Sequence, residues 1–170
     1  MITNASSHHE DLPYRRCVGA MVLNDRGEVF VGKRLNARGC DQVWQMPQGG
    51  IDKGEEPLAA ALRELEEETA IRSVELIEES AEWLSYDLPV YARGRWSGRY
   101  RGQTQKWFAF RFVGEDAEVN LNAHEPVEFC QWKWVALRDI IGLVVPFKRP
   151  VYEALVCQFS HIPQNTGPGA

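Results

Sequence analysis

Glu64, Glu67 and Glu68 stand at i, i+3 and i+4, so on an α-helix their carboxylates converge on one face. Like charges at that spacing repel by roughly 0.2–0.5 kcal/mol per pair on a bare helix. A bound hard cation turns the repulsion into coordination, because Mg²⁺, Mn²⁺ and Ca²⁺ take oxygen ligands. The three belong to a local surplus: residues 52–82 hold eleven acidic side chains against Lys53, Arg63 and Arg72. A charge block of this kind is also what a solvated helix face looks like. Two neighbours favour the chemical reading. Arg63 precedes Glu64, where a guanidinium can hold a carboxylate in place, and Gly49-Gly50 give a loop just upstream access to backbone shapes closed to other residues.

The elements that must position these groups follow from periodicity. Leu58, Ala61, Leu62 and Leu65 recur as one buried helix face, Pro57 suits the first helical turn, and the helix is expected to end near Thr69. Cys17–Leu23 and Val29–Val31 flank Asn24-Asp25-Arg26-Gly27 and predict an opening hairpin. Asn36–Gln42 is expected as a loop before the short apolar piece Val43–Met46. Further β-favouring runs lie at 74–77, 82–86, 106–112 and 128–135, and a last helix is expected over about 150–159 with Val151, Ala154, Leu155 and Gln158 on one face. Residues 1–12 and 161–170 are polar, carry no periodicity and predict tails around one domain over 13–160.

The string GGIDKGEEPLAAALRELEEETAI resembles the Nudix box. Gly49, Glu55, Arg63, Glu64, Leu65, Glu67, Glu68 and Ile71 meet eight of its nine specified positions. Ala70 stands where the family has glycine, at the helix C-terminal turn, where a Cβ resists positive φ. The resemblance implies an α/β Nudix fold, a mixed β-sheet between α-helices, and hydrolysis of a nucleoside diphosphate linked to another group. It makes Glu64, Glu67 and Glu68 ligands of Mg²⁺, with Mn²⁺ or another divalent cation as substitutes and a backbone carbonyl near Gln48 as a further donor. Gly49, Glu55 and Arg63 become the residues that shape the box.

Beyond the box, Tyr14-Arg15-Arg16, WQMPQGGID, EWLSYDLP, GQTQKWFAF, EFCQWKWV and VVPFKRPVY resemble the bacterial RNA pyrophosphohydrolase branch, also described as diadenosine polyphosphate hydrolases. By that resemblance Glu128 completes the metal and catalytic site from outside the box. Phe147 and Arg34 sandwich the first base, with Val145 beside them. Arg15 and Lys148 lie near the phosphates and the following nucleotide. The implied reaction is removal of pyrophosphate from a 5′-triphosphorylated RNA end, leaving a 5′-monophosphate and promoting RNA decay. Cleavage of a dinucleoside polyphosphate such as diadenosine tetraphosphate stands as the alternative, and a non-catalytic nucleotide-binding module as a remote one.

Composition bounds these expectations. The 170 residues fit one domain, and 44% hydrophobic residues with 18 aromatics supply a core. A net charge of −5 argues against a protein that coats duplex DNA. No apolar run is long enough for a membrane span and the start lacks a signal-peptide pattern, so a cytoplasmic protein is expected. Cys17, Cys40, Cys130 and Cys157 form no CxxC pair and predict neither a zinc site nor a disulfide framework. His8, His9, His124 and His161 are dispersed and are expected to be solvated or structural. Between Tyr91 and Trp107 basic residues alternate with aromatics, a pattern suited to single-stranded nucleic acid, with Lys106 and Trp107 as the strongest binding candidates; a solvated loop is the competing reading.

Overall fold

The computed structural model describes residues 7–36, 39–94 and 98–162. In chain order they form α1 (Ser7–Glu10), β1 (Tyr14–Leu23), β2 (Glu28–Asn36), β3 (Gly39–Gln45), β4 (Gln48–Gly50), α2 (Pro57–Thr69), β5 (Val74–Glu79), β6 (Leu84–Asp87), β7 (Gly102–Phe112), β8 (Phe129–Ala136), α3 (Ile140–Leu143) and α4 (Arg149–Phe159). All eight strands join one mixed sheet with the backbone order β3-β2-β1-β7-β5; β4 pairs with β1, β6 with β7 and β8 with β2. Its centre is the parallel pair β1–β7, in register from Tyr14↔Gly102 to Leu23↔Arg111.

Strand side chains alternate between faces, and each face buries a separate apolar layer. Val18, Ala20, Val22, Phe108 and Phe110 pack with Ala60, Ala61 and Leu65 of α2. Met21, Leu23, Trp107 and Ala109 pack with Leu155 and Phe159 of α4. The sheet is therefore sandwiched between helices, as the α/β expectation has it.

Several local expectations change. The opening hairpin is joined at Leu23↔Val29, after which β1 turns to β7 and β4 while β2 turns to β8 and β3. Gly39–Gln42, expected as loop, is the first part of β3. On α2 the buried stripe is Ala60, Ala61 and Leu65, and Leu62 is exposed. Glu68 stands seven residues after Ala61 on that same stripe, so a carboxylate is drawn toward the core. Ala70 holds φ 64° and donates its N–H to the Glu66 carbonyl at 2.8 Å, closing the helix in the left-handed shape that glycine adopts more easily.

At the ends of the domain, Ser7–Glu10 is a helical turn and the Glu10 carbonyl accepts from Arg101 at 2.9 Å. Ile162 is buried, and His161 meets Glu78 at 2.8 Å. The expectation that the cysteines form no disulfide is corrected: Cys40 and Cys130 are bonded, with Cα atoms 5.9 Å apart and a sequence separation of 90. Irregular pairing of β2 around Lys33–Leu35 lets β3 and β8 approach there, a long-range consequence that cysteine spacing does not encode.

Candidate active site

α2 lies across β1 and β4, so its carboxylates meet the Gln48–Gly50 strand. A Cβ on Gly49 would overlap the Glu64 carboxylate, so glycine at 49 is what permits that approach. Arg63 ties the loop to the helix. Its Nε and Nη2 donate to the two Glu55 oxygens at 2.7 and 2.8 Å, Nη2 donates to the Gly50 carbonyl at 2.9 Å, and Nη1 donates to Glu64 at 2.9 Å and Glu67 at 3.3 Å. Glu55 also accepts from the Asp52 N–H at 2.9 Å. The Arg63 guanidinium and that N–H hold the Glu55 carboxyl down to a pKa of about 2, and Glu55 raises Arg63 in turn.

Glu68 is buried, and the Gln48 N–H donates to its Oε2 at 3.2 Å. Loss of solvent pushes its pKa well above the carboxylate range, helped by the negative charges of Glu64 and Glu128. Desolvation also raises Glu64, against the guanidinium of Arg63. Glu66 faces away and pairs with Arg72 at 2.6 Å. Glu128 comes from the loop before β8 and lines the same two cavities as Glu64 and Glu68. The irregularity of β2 at Lys33/Arg34 sets Arg34 opposite Phe129, and the Leu35 N–H donates to the Glu128 carbonyl at 2.9 Å.

Two cavities flank the carboxylates. The larger, about 540 Å³, is lined by Glu64, Glu68 and Glu128 together with Arg15, Arg34 and Lys148. Gln45, Gln48, Gln103 and Tyr86 line it as well. The fields of Arg15 and Lys148 reach Glu64 and Glu68 and oppose their upward shifts. The smaller, about 220 Å³, is bounded by Glu64, Glu67, Glu68, Glu128 and the segment His124-Glu125-Pro126. Among the described residues no three acidic or histidine side chains close into a ready cage. Instead they surround open space with oxygen donors, a set suited to a hard divalent cation.

The other expected contacts are distributed differently. Val145 and Phe147 pack against the core, and the Phe147 ring lies 5.5 Å from that of Tyr86. Tyr86, rather than Phe147, lines the cavity. Lys106 points to the opposite face of β7 from Gln103 and Gln105; it donates to the Ser80 carbonyl and approaches Glu79 at 3.9 Å, so it is not brought to the cavity. Trp107, expected to bind nucleic acid, is fully buried with its Nε1 on Gln105 at 2.9 Å. Arg95 and Trp96 of the basic segment lie outside the described residues.

Sequence reasoning missed Gln45, Gln103, Tyr86 and His124. For the glutamines the signal was available: Gln103 and Gln105 alternate with Thr104 and Lys106 in β7, placing amides on an inward face, where they bond each other at 2.7 Å and Gln48 at 3.1 Å. His124 carried no local signal, since only the fold brings its loop to the α2 carboxylates.

The family description "NUDIX domain" matches residues 13–155. The chain is 54% identical over 162 residues to an RNA pyrophosphohydrolase of Mesorhizobium japonicum, covering 90% of this chain and 94% of that protein. It is 52% identical over 163 residues to an RNA pyrophosphohydrolase of Nitrobacter winogradskyi, covering 92% and 95%. Among solved structures, the E. coli dihydroneopterin triphosphate pyrophosphohydrolase superposes with a TM-score of 0.67 at 20% identity, covering 86% of this chain and 99% of that one. The C. elegans Ap4A hydrolase binary complex superposes at 0.64 and 20%, covering 87% and 99%.

Proposed function

The chain belongs to the Nudix hydrolase family, and from that premise we propose that it is a divalent-cation-dependent RNA pyrophosphohydrolase, removing pyrophosphate from a 5′-triphosphate end. The observation that carries the reading is the meeting, in one cavity of about 540 Å³, of Glu64, Glu68 and Glu128 with Arg15, Arg34 and Lys148. Such a cavity has the size of a ligand pocket and offers its two kinds of charge to two kinds of partner. The cations suit the phosphate chain; the carboxylates suit metal bound to it.

Glu64, Glu67 and Glu68, with Glu128 from the loop before β8, would hold the metal, Mg²⁺ in our assignment. Bound divalent cations supply charge for the phosphoryl oxygens and lower the pKa of a coordinated water. The residues around them do the positioning. Arg63 fixes Glu64 and Glu67 while neutralising part of their mutual repulsion. Arg15 and Lys148 draw the polyphosphate toward the carboxylates, and Lys148 is itself oriented by Gln45 at 3.2 Å. Tyr86, braced by Phe147, and Arg34 present flat groups to the first nucleotide, and the inward amides of Gln45 and Gln103 offer it donors and acceptors. Water attacks phosphorus, the bond to the bridging oxygen breaks, and pyrophosphate leaves a 5′-monophosphate on the RNA.

The test is a carboxylate series in saturating Mg²⁺ with triphosphorylated RNA. Glu68→Gln and Glu64→Gln should each lower kcat at least about a hundredfold, because each removes charge that holds the metal at the transition state. Glu66→Gln should leave turnover within about twofold, since Glu66 faces Arg72. Equal losses at Glu66 and Glu67 would refute the assignment.

A further inference from the structure

The small cavity beside the carboxylates differs from the large one in a way that assigns it a different part of the substrate. At about 220 Å³ it is below the usual range of pockets for nucleoside-sized ligands, and its wall has no Phe, Tyr or Trp and no Arg or Lys. A nucleoside is too large for it. What fits is a small, metal-bearing anion. Its one non-acidic polar side chain is the His124 ring.

His124 is held at this position by the loop that carries it. The Asn120 N–H donates to the carbonyl of Thr69, the last residue of α2, at 2.9 Å. The Asn120 carbonyl and side chain then accept from Ala123 at 3.3 Å and Asn122 at 3.0 Å, so the chain turns back toward the helix. Four residues after His124, the Glu128 carbonyl is bonded to β2 through Leu35. The ring is half-buried, and among the described residues no hydrogen bond or ion pair engages it, whereas His161 is paired with Glu78. An imidazole has at least one N–H donor in either protonation state.

We propose that His124 is a substrate-contacting residue of the active site, donating a hydrogen bond to the pyrophosphate group that leaves while the nucleoside side of the substrate occupies the larger cavity. The assignment rests on the pyrophosphohydrolase reading above. It divides the site at the carboxylates: Arg34 and Tyr86 serve the nucleotide that stays, Arg15 and Lys148 draw the phosphate chain in from the larger cavity, and His124 serves the phosphates that depart.

The full-length enzyme in Mg²⁺ tests this through its two products. For His124→Ala we expect kcat/KM on triphosphorylated RNA to fall at least about tenfold, as loss of one donor to a reacting anion does. Inhibition by inorganic pyrophosphate should weaken by a similar factor, while inhibition by AMP, which reports the larger cavity, stays within about twofold. His124→Gln, which restores an N–H donor of similar reach, should recover part of both pyrophosphate effects. Equal weakening of pyrophosphate and AMP inhibition, unchanged pyrophosphate inhibition, or a raised Mg²⁺ requirement as the whole effect would each overturn the assignment, the last by making His124 a metal ligand. Glu68→Gln run alongside separates the two levels: if it retains turnover the underlying reading fails, whereas an inactive Glu68→Gln with a fully active His124→Ala refutes the histidine assignment alone.

Discussion

Glu68→Gln should make the metal-free protein more stable while it abolishes turnover. Glu68 is on the buried stripe of α2, within the fields of Glu64 and Glu128, and its pKa is raised for that reason. A carboxyl with a raised native pKa keeps a proton that the unfolded chain has released, so stability falls as pH climbs from the ordinary carboxylate range toward the folded value. The penalty has a ceiling. Protonation in place of ionisation costs at most about 1.4 kcal/mol for each pH unit above roughly 4.3, or about 3.7 kcal/mol at pH 7. Allowing for the Gln48 N–H that favours the charged form, we expect glutamine to gain about 1–3 kcal/mol in EDTA at pH 7–8. That corresponds to a melting temperature higher by on the order of 5 °C for a domain of this size. The gain should shrink as pH falls and vanish only below about pH 4, where the unfolded glutamate is protonated as well. Urea unfolding in EDTA at pH 5, 7 and 8 reads the difference directly. Mg²⁺ should then narrow the gap by stabilising the wild type, by about 2.7 kcal/mol at a hundred times its Kd. A glutamine variant less stable than wild type in EDTA, or an advantage that declines as pH rises, would refute the reasoning.

Three further outcomes follow from the same geometry. Glu55 has its pKa held at about 2 by Arg63, so the stability this pair contributes is complete above the ordinary carboxylate range and is lost as pH falls toward 2; Glu55→Gln should cost about 1 kcal/mol at pH 7 after solvent screening and nothing at pH 2, measured by denaturant unfolding. Ala70→Gly relieves a Cβ at φ 64° and should raise stability by about 0.5–1 kcal/mol without changing kcat, seen as a melting shift of about 2–4 °C. Phe147→Ala removes a ring that packs on both Tyr86 and the core; it should cost about 2–3 kcal/mol of stability and also weaken RNA binding through Tyr86, so a loss of binding with no change in melting temperature would show that Phe147 meets the base itself.

What was legible in the sequence was what repeats locally. The 3.6-residue period of α2 and the fixed spacing of Gly49, Glu55, Arg63 and the glutamates located α2 and its carboxylate face to the residue, because helix phase is a local property. Glu66 and Glu67 could be told apart for the same reason. Leu62 could not be placed: a four-residue apolar cluster leaves the centre of the buried face free by one position, and the sheet chose Ala60 and Leu65. The segment from Tyr91 to Trp107 misled because strand alternation and base-stacking alternation look alike in sequence. Trp107 is in the core, and Lys106 is on the opposite face of β7 from Gln103, which does line the site. His124 and the Cys40–Cys130 pair depend on loops meeting across the fold, and nothing within a few residues of either announces that meeting.

The central claim, that the carboxylates and cations of this cavity process a triphosphorylated RNA end, is tested most directly by product analysis under competition. Triphosphorylated RNA and diadenosine tetraphosphate are supplied together with Mg²⁺, and kcat/KM for each is taken from the same reaction. The account predicts pyrophosphate and a 5′-monophosphorylated RNA as the products of the favoured substrate, with turnover lost in EDTA and in Glu68→Gln. Preference for diadenosine tetraphosphate, with the RNA end left triphosphorylated, would contradict it.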